Sequence, residues 1–272
     1  VKAGANFNIN ERNNIFLNTG YYSRAPYWDF VFTNFNENSL VPVNEVLNEK
    51  ILGVEVGYGL RLQWMALNVN LYYTQWNDKS YTDRFRNEEG DEFNAPVLGL
   101  KAVHMGAELD AKFKATRWLE FFATLGIGDW QWQNDVNAVI YDDASGNAVD
   151  TVNVYASGVP VGGQPQTQVV LGTKFHVMKR ITLGASWRYY DRHYRDYDVT
   201  ELDSPGYEVT EIPAYDLVDF YATYNFKMAG LHSNFGVAIY NVFDNVTKMQ
   251  GDQFGYFWTF GRNMNFTFRI EF

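Results

Sequence analysis

Met264, Phe266, Phe268, Ile270 and Phe272 alternate strictly with Asn263, Asn265, Thr267, Arg269 and Glu271 at the end of this chain. Successive side chains of a strand point to opposite faces, so this stretch has one wholly apolar face and one wholly polar face. In a soluble sandwich the apolar face meets a second sheet. In a membrane barrel it meets lipid, and the polar face lines a wet interior. The choice depends on how the pattern recurs and on what joins its copies.

It recurs through residues 2–9, 15–25, 51–60, 67–74, 103–114, 119–132, 167–177, 181–190, 215–226 and 233–242. Short connections fall at 10–14, 61–65, 115–118, 178–180 and 227–231, and long ones at 26–48, 78–96, 134–165, 191–213 and 243–260. The longest loop, 134–165, has room for a hairpin of its own. With the terminal stretch this makes about eleven strands whose connections alternate between short and long. Such sorting marks an antiparallel up-and-down transmembrane β-barrel, with short periplasmic turns and long extracellular loops. A Greek key or a propeller would not sort its loops this way.

Direction adds a further expectation. The first connection is short and therefore periplasmic, so the first strand runs inward, as does the last. An odd set that begins inward implies that residues 1–272 are the C-terminal portion of a larger barrel.

Composition agrees with strands in a membrane rather than helices. Tyr 19, Phe 21 and Trp 8 bring the aromatic share to 18%, yet mean hydropathy is -0.32. No apolar run approaches the ~20 residues of a spanning helix, whereas barrel strands are half polar and carry aromatic girdles. The chain has no cysteine, which excludes disulfides and thiolate chemistry. A net charge of -10 with scattered Lys and Arg argues against nucleic acid. The chain opens on VKAGANFNI with no signal peptide. An exported protein would have lost its signal, or the chain begins inside a longer one.

Several stretches resemble TonB-dependent outer-membrane receptors, particularly those of Bacteroidetes: YYSRAPYWDFVF at 21–32, NEKILGVEVGYGLR at 48–61 and NVNLYYTQWNDKS at 68–80. IYNVFDN at 239–245, followed by GRNMNFTFRIEF, resembles the family's closing hairpin. The resemblance implies active import of a scarce large solute (siderophore, glycan or peptide) across the bacterial outer membrane. It implies about eleven strands of a 22-stranded plugged barrel, with the TonB-contacting region, the plug and the earlier strands lying outside these residues. It also implies a barrel-assembly signal at Gly261, Met264, Phe266, Phe268, Ile270 and Phe272. Its partners would be outer-membrane lipid, the plug and remaining strands, and TonB. A SusC-like importer lidded by a SusD-like surface lipoprotein is the alternative within transport. A small autonomous barrel enzyme or adhesin, and a soluble all-β binding protein, are the alternatives outside it.

Candidate site residues follow from the two faces. Glu55, Glu108, Asp110, Lys112, Lys114, Arg188, Asp219, Arg269 and Glu271 are expected on the lumen side, against a plug or against water. Tyr27, Trp28, Phe30, Phe32 and Phe35 form either a ligand platform or a packed loop, because flat rings stack on sugars, catechols or peptide side chains. Trp130, Trp132, Trp187, Tyr189 and Tyr190 read as interfacial anchors. His104, His176, His193 and His232 have no metal-binding spacing, so neither metal nor cofactor is expected. Asp196, Asp198, Glu201 and Asp203 read as a solvated loop, lacking the glycine and spacing of a calcium loop. Ser186 and His176 are the nearest approach to a catalytic pair, and both fall away from the outer strand ends.

Overall fold

The period-two segments form strands, and each short turn folds a strand back onto the one before it. The computed structural model describes residues 1–28, 31–32, 46–86 and 90–271. The strands are β1 (Lys2–Asn10), β2 (Asn13–Arg24), β3 (Glu49–Arg61), β4 (Met65–Arg86), β5 (Glu92–Lys114), β6 (Leu119–Trp132), β7 (Val136–Asp142) and β8 (Ala148–Val154). They continue with β9 (Pro165–Met178), β10 (Ile181–Tyr194), β11 (Glu211–Ile212), β12 (Tyr215–Met228), β13 (Leu231–Tyr240), β14 (Lys248–Asp252), β15 (Gly255–Trp258) and β16 (Asn263–Glu271). Eleven make an antiparallel wall in the order β1-β2-β3-β4-β5-β6-β9-β10-β12-β13-β16. This is the expected up-and-down order and number. The anticipated hairpin in the longest loop is β7–β8, and β14 and β15 form a separate two-stranded sheet.

One expected loop is mostly strand. Composition places a polar connection at residues 78–96, but β4 runs for 22 residues and β5 for 23, leaving only 87–91 between them. The ladder is interrupted by register shifts between Trp76 and Tyr81, where Asp78 has a φ of 54°. Such bulges scramble the period-two pattern while the strand pair continues. The excursion remains long, as a hairpin arm rather than a loose loop.

Register fixes the two faces. Opposed residues of an antiparallel ladder share a face, and Leu17↔Val56, Val56↔Leu71 and Leu71↔Ala107 are opposed. Phe7, Leu17, Val56, Leu71, Met105, Phe121, Leu171, Phe220, Phe235 and Phe266 all stand exposed on this one face. An apolar surface crossing ten strands far exceeds what a water-soluble monomer exposes.

On the opposite face aromatic rings lie over glycines of the neighbouring strand. A Cβ at Gly57, Gly172 or Gly184 would overlap the rings of Phe16, Phe122 and Tyr221, and one at Gly106 would meet the Tyr72 ring and the Ile127 carbonyl. Glycine here provides the close approach that keeps each ring flat against the wall.

The buried core sits not in the wall but beyond its long-loop end. Val97 and Leu100 of β5, Trp132 of β6, Ala138 and Val154 of the β7–β8 hairpin, Val159, Val199 and Leu202 form one apolar cluster. Two connections and two strand extensions therefore pack as a single outer layer. The acidic run belongs to this layer: Glu201 pairs with Arg195 and caps the 3-10 turn Val199–Glu201 that delivers buried Leu202, so it is not simply solvated.

Candidate functional site: an aromatic and cationic ladder above a polar wall

All nine charged residues expected on one face share the polar face by register. Glu55 opposes Tyr72, which opposes Gly106 on the Glu108–Asp110–Lys112–Lys114 side of β5. Across the other strands the face continues through Arg188, Asp219, Arg269 and Glu271. Asn18 Nδ2 donates to Glu55 (3.2 Å), Thr124 Oγ1 donates to Asp110 (2.8 Å), and Arg188 pairs with Asp219 at 2.9 Å. Two hollows indent this face: one of 630 Å³ beside Glu55, Glu108 and Tyr72, and one of 490 Å³ beside Asp110, Lys112, Glu120 and Lys174.

Trp130, Trp132 and Tyr190 lie on this face too, which corrects their reading as lipid-interface anchors. Alternation in β6 and β10 assigns them to the polar side, whereas Trp187 and Tyr189 are on the apolar side, stacked at 5.7 Å. The assembly-signal residues divide similarly. Met264, Phe266 and Phe268 are exposed on the apolar face, Ile270 is half-buried, and Gly261 lies beside Asp244, whose Oδ1 accepts from the Arg262 N–H at 2.6 Å. Phe272 lies outside the described residues.

At the long-loop end of β2, β4, β5 and β6 the rings and cations form one chain of contacts. The Arg24 guanidinium lies over Tyr27 (5.3 Å to the ring centroid) and over Trp76 (5.8 Å). Lys79 Nζ lies over Trp76 at 4.5 Å, Tyr81 at 5.2 Å and Trp132 at 5.9 Å. Tyr81 meets Trp132 edge-on at 5.6 Å. Trp132 Nε1 donates to the Tyr197 hydroxyl (2.9 Å), which donates to the Pro160 carbonyl (2.7 Å), tying the ladder to the outer layer. A second branch runs from Trp76 to His104 (6.5 Å), to Trp130 (5.5 Å) and to the Tyr72 hydroxyl, which accepts from Trp130 Nε1 at 3.0 Å.

Electrostatics follows from burial. Glu49 is buried and accepts from Arg24 Nε at 2.9 Å, so one of the two cations is already neutralised. Lys79 is drawn below its ordinary pKa first by desolvation, which Glu49 partly offsets and Arg24 reinforces. The ladder thus presents an ammonium with rings on several sides, a geometry worth roughly 0.5–2 kcal/mol per cation–ring contact. The Tyr81 hydroxyl is pushed up to about 12, chiefly by burial and secondarily by Glu49 and Asp196. A raised folded value means that the protonated phenol stabilises the fold below pH ~10 and that this contribution disappears as pH rises through the folded value. In a titration followed by tyrosinate absorbance, Tyr81→Phe is expected to match the wild type up to about pH 11 and to lose amplitude only above it. Loss of amplitude near pH 10 would show Tyr81 to be solvated.

The expected aromatic platform is only partly at this site. Tyr27 and Trp28 are 61% and 62% exposed. Phe32 is half-buried and stacks obliquely on Trp28 at 6.4 Å, while its carbonyl accepts from Asn94 Nδ2 at 3.0 Å. Phe30 and Phe35 lie outside the described residues. Sequence reasoning missed Arg24, Trp76, Lys79, Tyr81 and Trp132 as one group, because the five come from β2, β4 and β6 and Lys79 and Tyr81 fall in the stretch 78–96 that reads as a loop.

Ser186 and His176 do not meet: Ser186 opposes Gly172 and Asp219, and His176 Nδ1 lies 3.1 Å from Thr182 Oγ1. Among the described residues no group of three His, Asp or Glu side chains could hold a metal ion.

An eleven-stranded up-and-down wall, apolar on one face and polar on the other, defines an integral outer-membrane β-barrel wall. Residues 2–242 match the family described as "TonB dependent receptor-like, beta-barrel", and the chain belongs to that family. Its apolar face is therefore the lipid face and its long-loop end the extracellular one. No curated protein matches the chain.

Among solved structures it is similar to the ferric-catecholate import receptor Fiu of E. coli K12 (18% identity, TM-score 0.63), over 98% of this chain and 34% of that one. It is similar to the copper transporter OprC (14%, TM-score 0.69; 97% and 38%). It is also similar to the ferripyoverdine receptor of the Pseudomonas aeruginosa outer membrane (16%, TM-score 0.61; 100% and 32%). These likenesses establish the shared fold, and the chain spans about a third of the length of the structures it matches.

Proposed function

We propose that this chain supplies the later wall strands of a larger, plugged barrel of about 22 strands, which imports a scarce large solute with energy passed through TonB. β1 and β16 each pair on one side only among the described residues, which supports a wall continued by other strands. The mixed charges of the polar face then meet the plug, with Arg188–Asp219 as a fixed pair and Glu55, Asp110 and Lys112 beside hollows that a plug surface would fill. A plugged lumen blocks diffusion, so capture outside must be followed by an energised change of the plug's state.

The observation that carries this reading is the ladder from Tyr27 through Arg24, Trp76, Lys79 and Tyr81 to Trp132, standing at the extracellular end of the polar wall. Its rings and its Lys79 ammonium suit a solute with planar and anionic groups. A metal chelate built on catechols or related oxygens has both, in keeping with the ferric-catecholate and ferripyoverdine relatives. The Bacteroidetes character and a surface lipoprotein lid rest on the sequence resemblance alone.

The test uses the intact protein in cells. A labelled ferric catecholate chelate should be captured with or without TonB but accumulate internally only when TonB is present. Trp76→Ala should weaken capture about tenfold, the scale of losing one aromatic anchor. Internal accumulation without TonB would sink the transport mechanism. Capture unchanged by Trp76→Ala would remove the ladder from it.

A further inference from the structure

A second cleft opens in the outer layer, away from the ladder. Its volume is 550 Å³, and Tyr155, Tyr194, Tyr207, Pro160, Asp135 and Glu208 are among its lining. That is within the ~300–1,000 Å³ of small-ligand sites. It lies between the loop that carries the β7–β8 hairpin, the end of β10, and the segment 205–209.

The cleft is built rather than accidental. Val159 on its wall is part of the buried outer core, and Tyr207 and Val209 pack against that core. The Tyr155 N–H donates to the Leu202 carbonyl at 2.7 Å and the Arg195 N–H to the Thr210 carbonyl at 2.9 Å, so the two loops are pinned on either side. Asp135 is held in place by the Ser157 N–H, which donates to its Oδ1 at 2.8 Å. A site whose walls are already ordered loses little entropy on binding.

Its chemistry selects one sign of charge. Asp135 and Glu208 line it, and among the described residues no Lys, Arg or His does. The guanidinium that follows Tyr194, Arg195, is engaged by Glu201, to which the Tyr207 hydroxyl also donates at 3.1 Å. Among the described residues Glu208 joins no ion pair and stands exposed. Three phenol rings with two carboxylates attract a cation by ring quadrupole and by charge, and repel an anion. The chain's net charge of -10 draws cations toward it as well.

We propose that this cleft binds an organic cation, an alkylammonium or guanidinium group, seated against the rings of Tyr155, Tyr194 and Tyr207 and paired with Glu208 and Asp135. The site is separate from the ladder and does not depend on the transport reading.

Calorimetric titration of the intact protein in detergent micelles with hexane-1,6-diamine tests it, with hexane-1,6-diol as the uncharged control of equal length. Saturable binding of the diamine and none of the diol is expected, weakening as salt screens the carboxylates. Glu208→Gln and Tyr194→Leu should each weaken diamine binding roughly tenfold, the scale of one charged or aromatic anchor. Tyr207→Phe, which keeps the ring and loses only the hydroxyl's contacts with Glu201 and Arg195, should bind as the wild type does. Glu208 is exposed, so Glu208→Gln tests the site without threatening the fold. Equal binding of diamine and diol, no saturable diamine binding, or wild-type affinity in Glu208→Gln would each overturn the assignment.

Discussion

Replacing Leu202 by alanine is expected to loosen the extracellular layer while leaving the wall intact. Leu202 is fully buried within a cluster drawn from β5, β6, the β7–β8 hairpin and the 3-10 turn. Truncating such a side chain costs about 2–5 kcal/mol, combining lost transfer energy with the cavity left behind. That is of the order of the stability of a small layer, whereas β12, β13 and β16 are held by ladder pairing and contribute no residue to this cluster. Hydrogen exchange should therefore accelerate in residues 136–161 and 199–212 and remain slow in β12, β13 and β16. Uniform acceleration would mean that layer and wall unfold together, and no acceleration would mean that the cluster does not hold the layer.

A second large effect is expected from Asn241→Ala, this time at the wall. Asn241 is buried just beyond β13 with a φ of 51°. Its Nδ2 donates to the carbonyls of Asn245 (3.0 Å) and Phe260 (2.9 Å), and its Oδ1 accepts from the Asn245 N–H (2.9 Å). Its own N–H donates to Asp219 Oδ1 at 3.0 Å, so the side chain folds the last long loop while the backbone anchors it to the Arg188–Asp219 pair. Alanine removes three hydrogen bonds, each worth about 1 kcal/mol net, and strands their partners. It also tolerates a left-handed backbone less well than asparagine does. A loss of about 3–4 kcal/mol is expected, read as a lower thermal midpoint and a smaller yield of folded barrel. A midpoint within a degree or two of the wild type would show that the loop is held elsewhere.

The two effects fall in regions of very different legibility. The wall is written in local alternation: Met264 to Ile270 shows its two faces within a few residues, and Glu11–Arg12 or Ala229–Gly230 announces a turn wherever two strands must reverse. Register then followed, which is why residues as distant as Glu55 and Arg269 could be assigned to one face. The outer layer obeys no such local rule. Leu202, Val159 and Leu100 lie far apart in the chain in stretches with no sustained period-two pattern, and only their packing gives them a common role. The ladder was hidden for a related reason: the bulges between Trp76 and Tyr81 break the period, and Trp132 meets them only because β5 and β6 bring it there. Trp130, Trp132 and Tyr190 were misplaced because aromatic identity outweighed parity, although parity within β6 and β10 would have turned them to the polar side.

The length of β4 has a consequence for how anything reaches Trp76 and Lys79. A tilted strand crosses the bilayer in about 9–11 residues, and β4 has 22. Trp76 therefore stands near headgroup height, and the ten residues beyond it form a collar whose contour rises ~33 Å further. That is several Debye lengths at physiological salt, about 8 Å each. Lys79 itself has seven residues of β4 beyond it, a contour of roughly 23 Å, and Arg24 is paired with Glu49, so the field of these cations is strongly weakened at the collar's rim and steers a solute arriving from the medium little. On the proposed reading, first encounter falls to the rim's own short-range chemistry, and the ladder acts only on what has already descended.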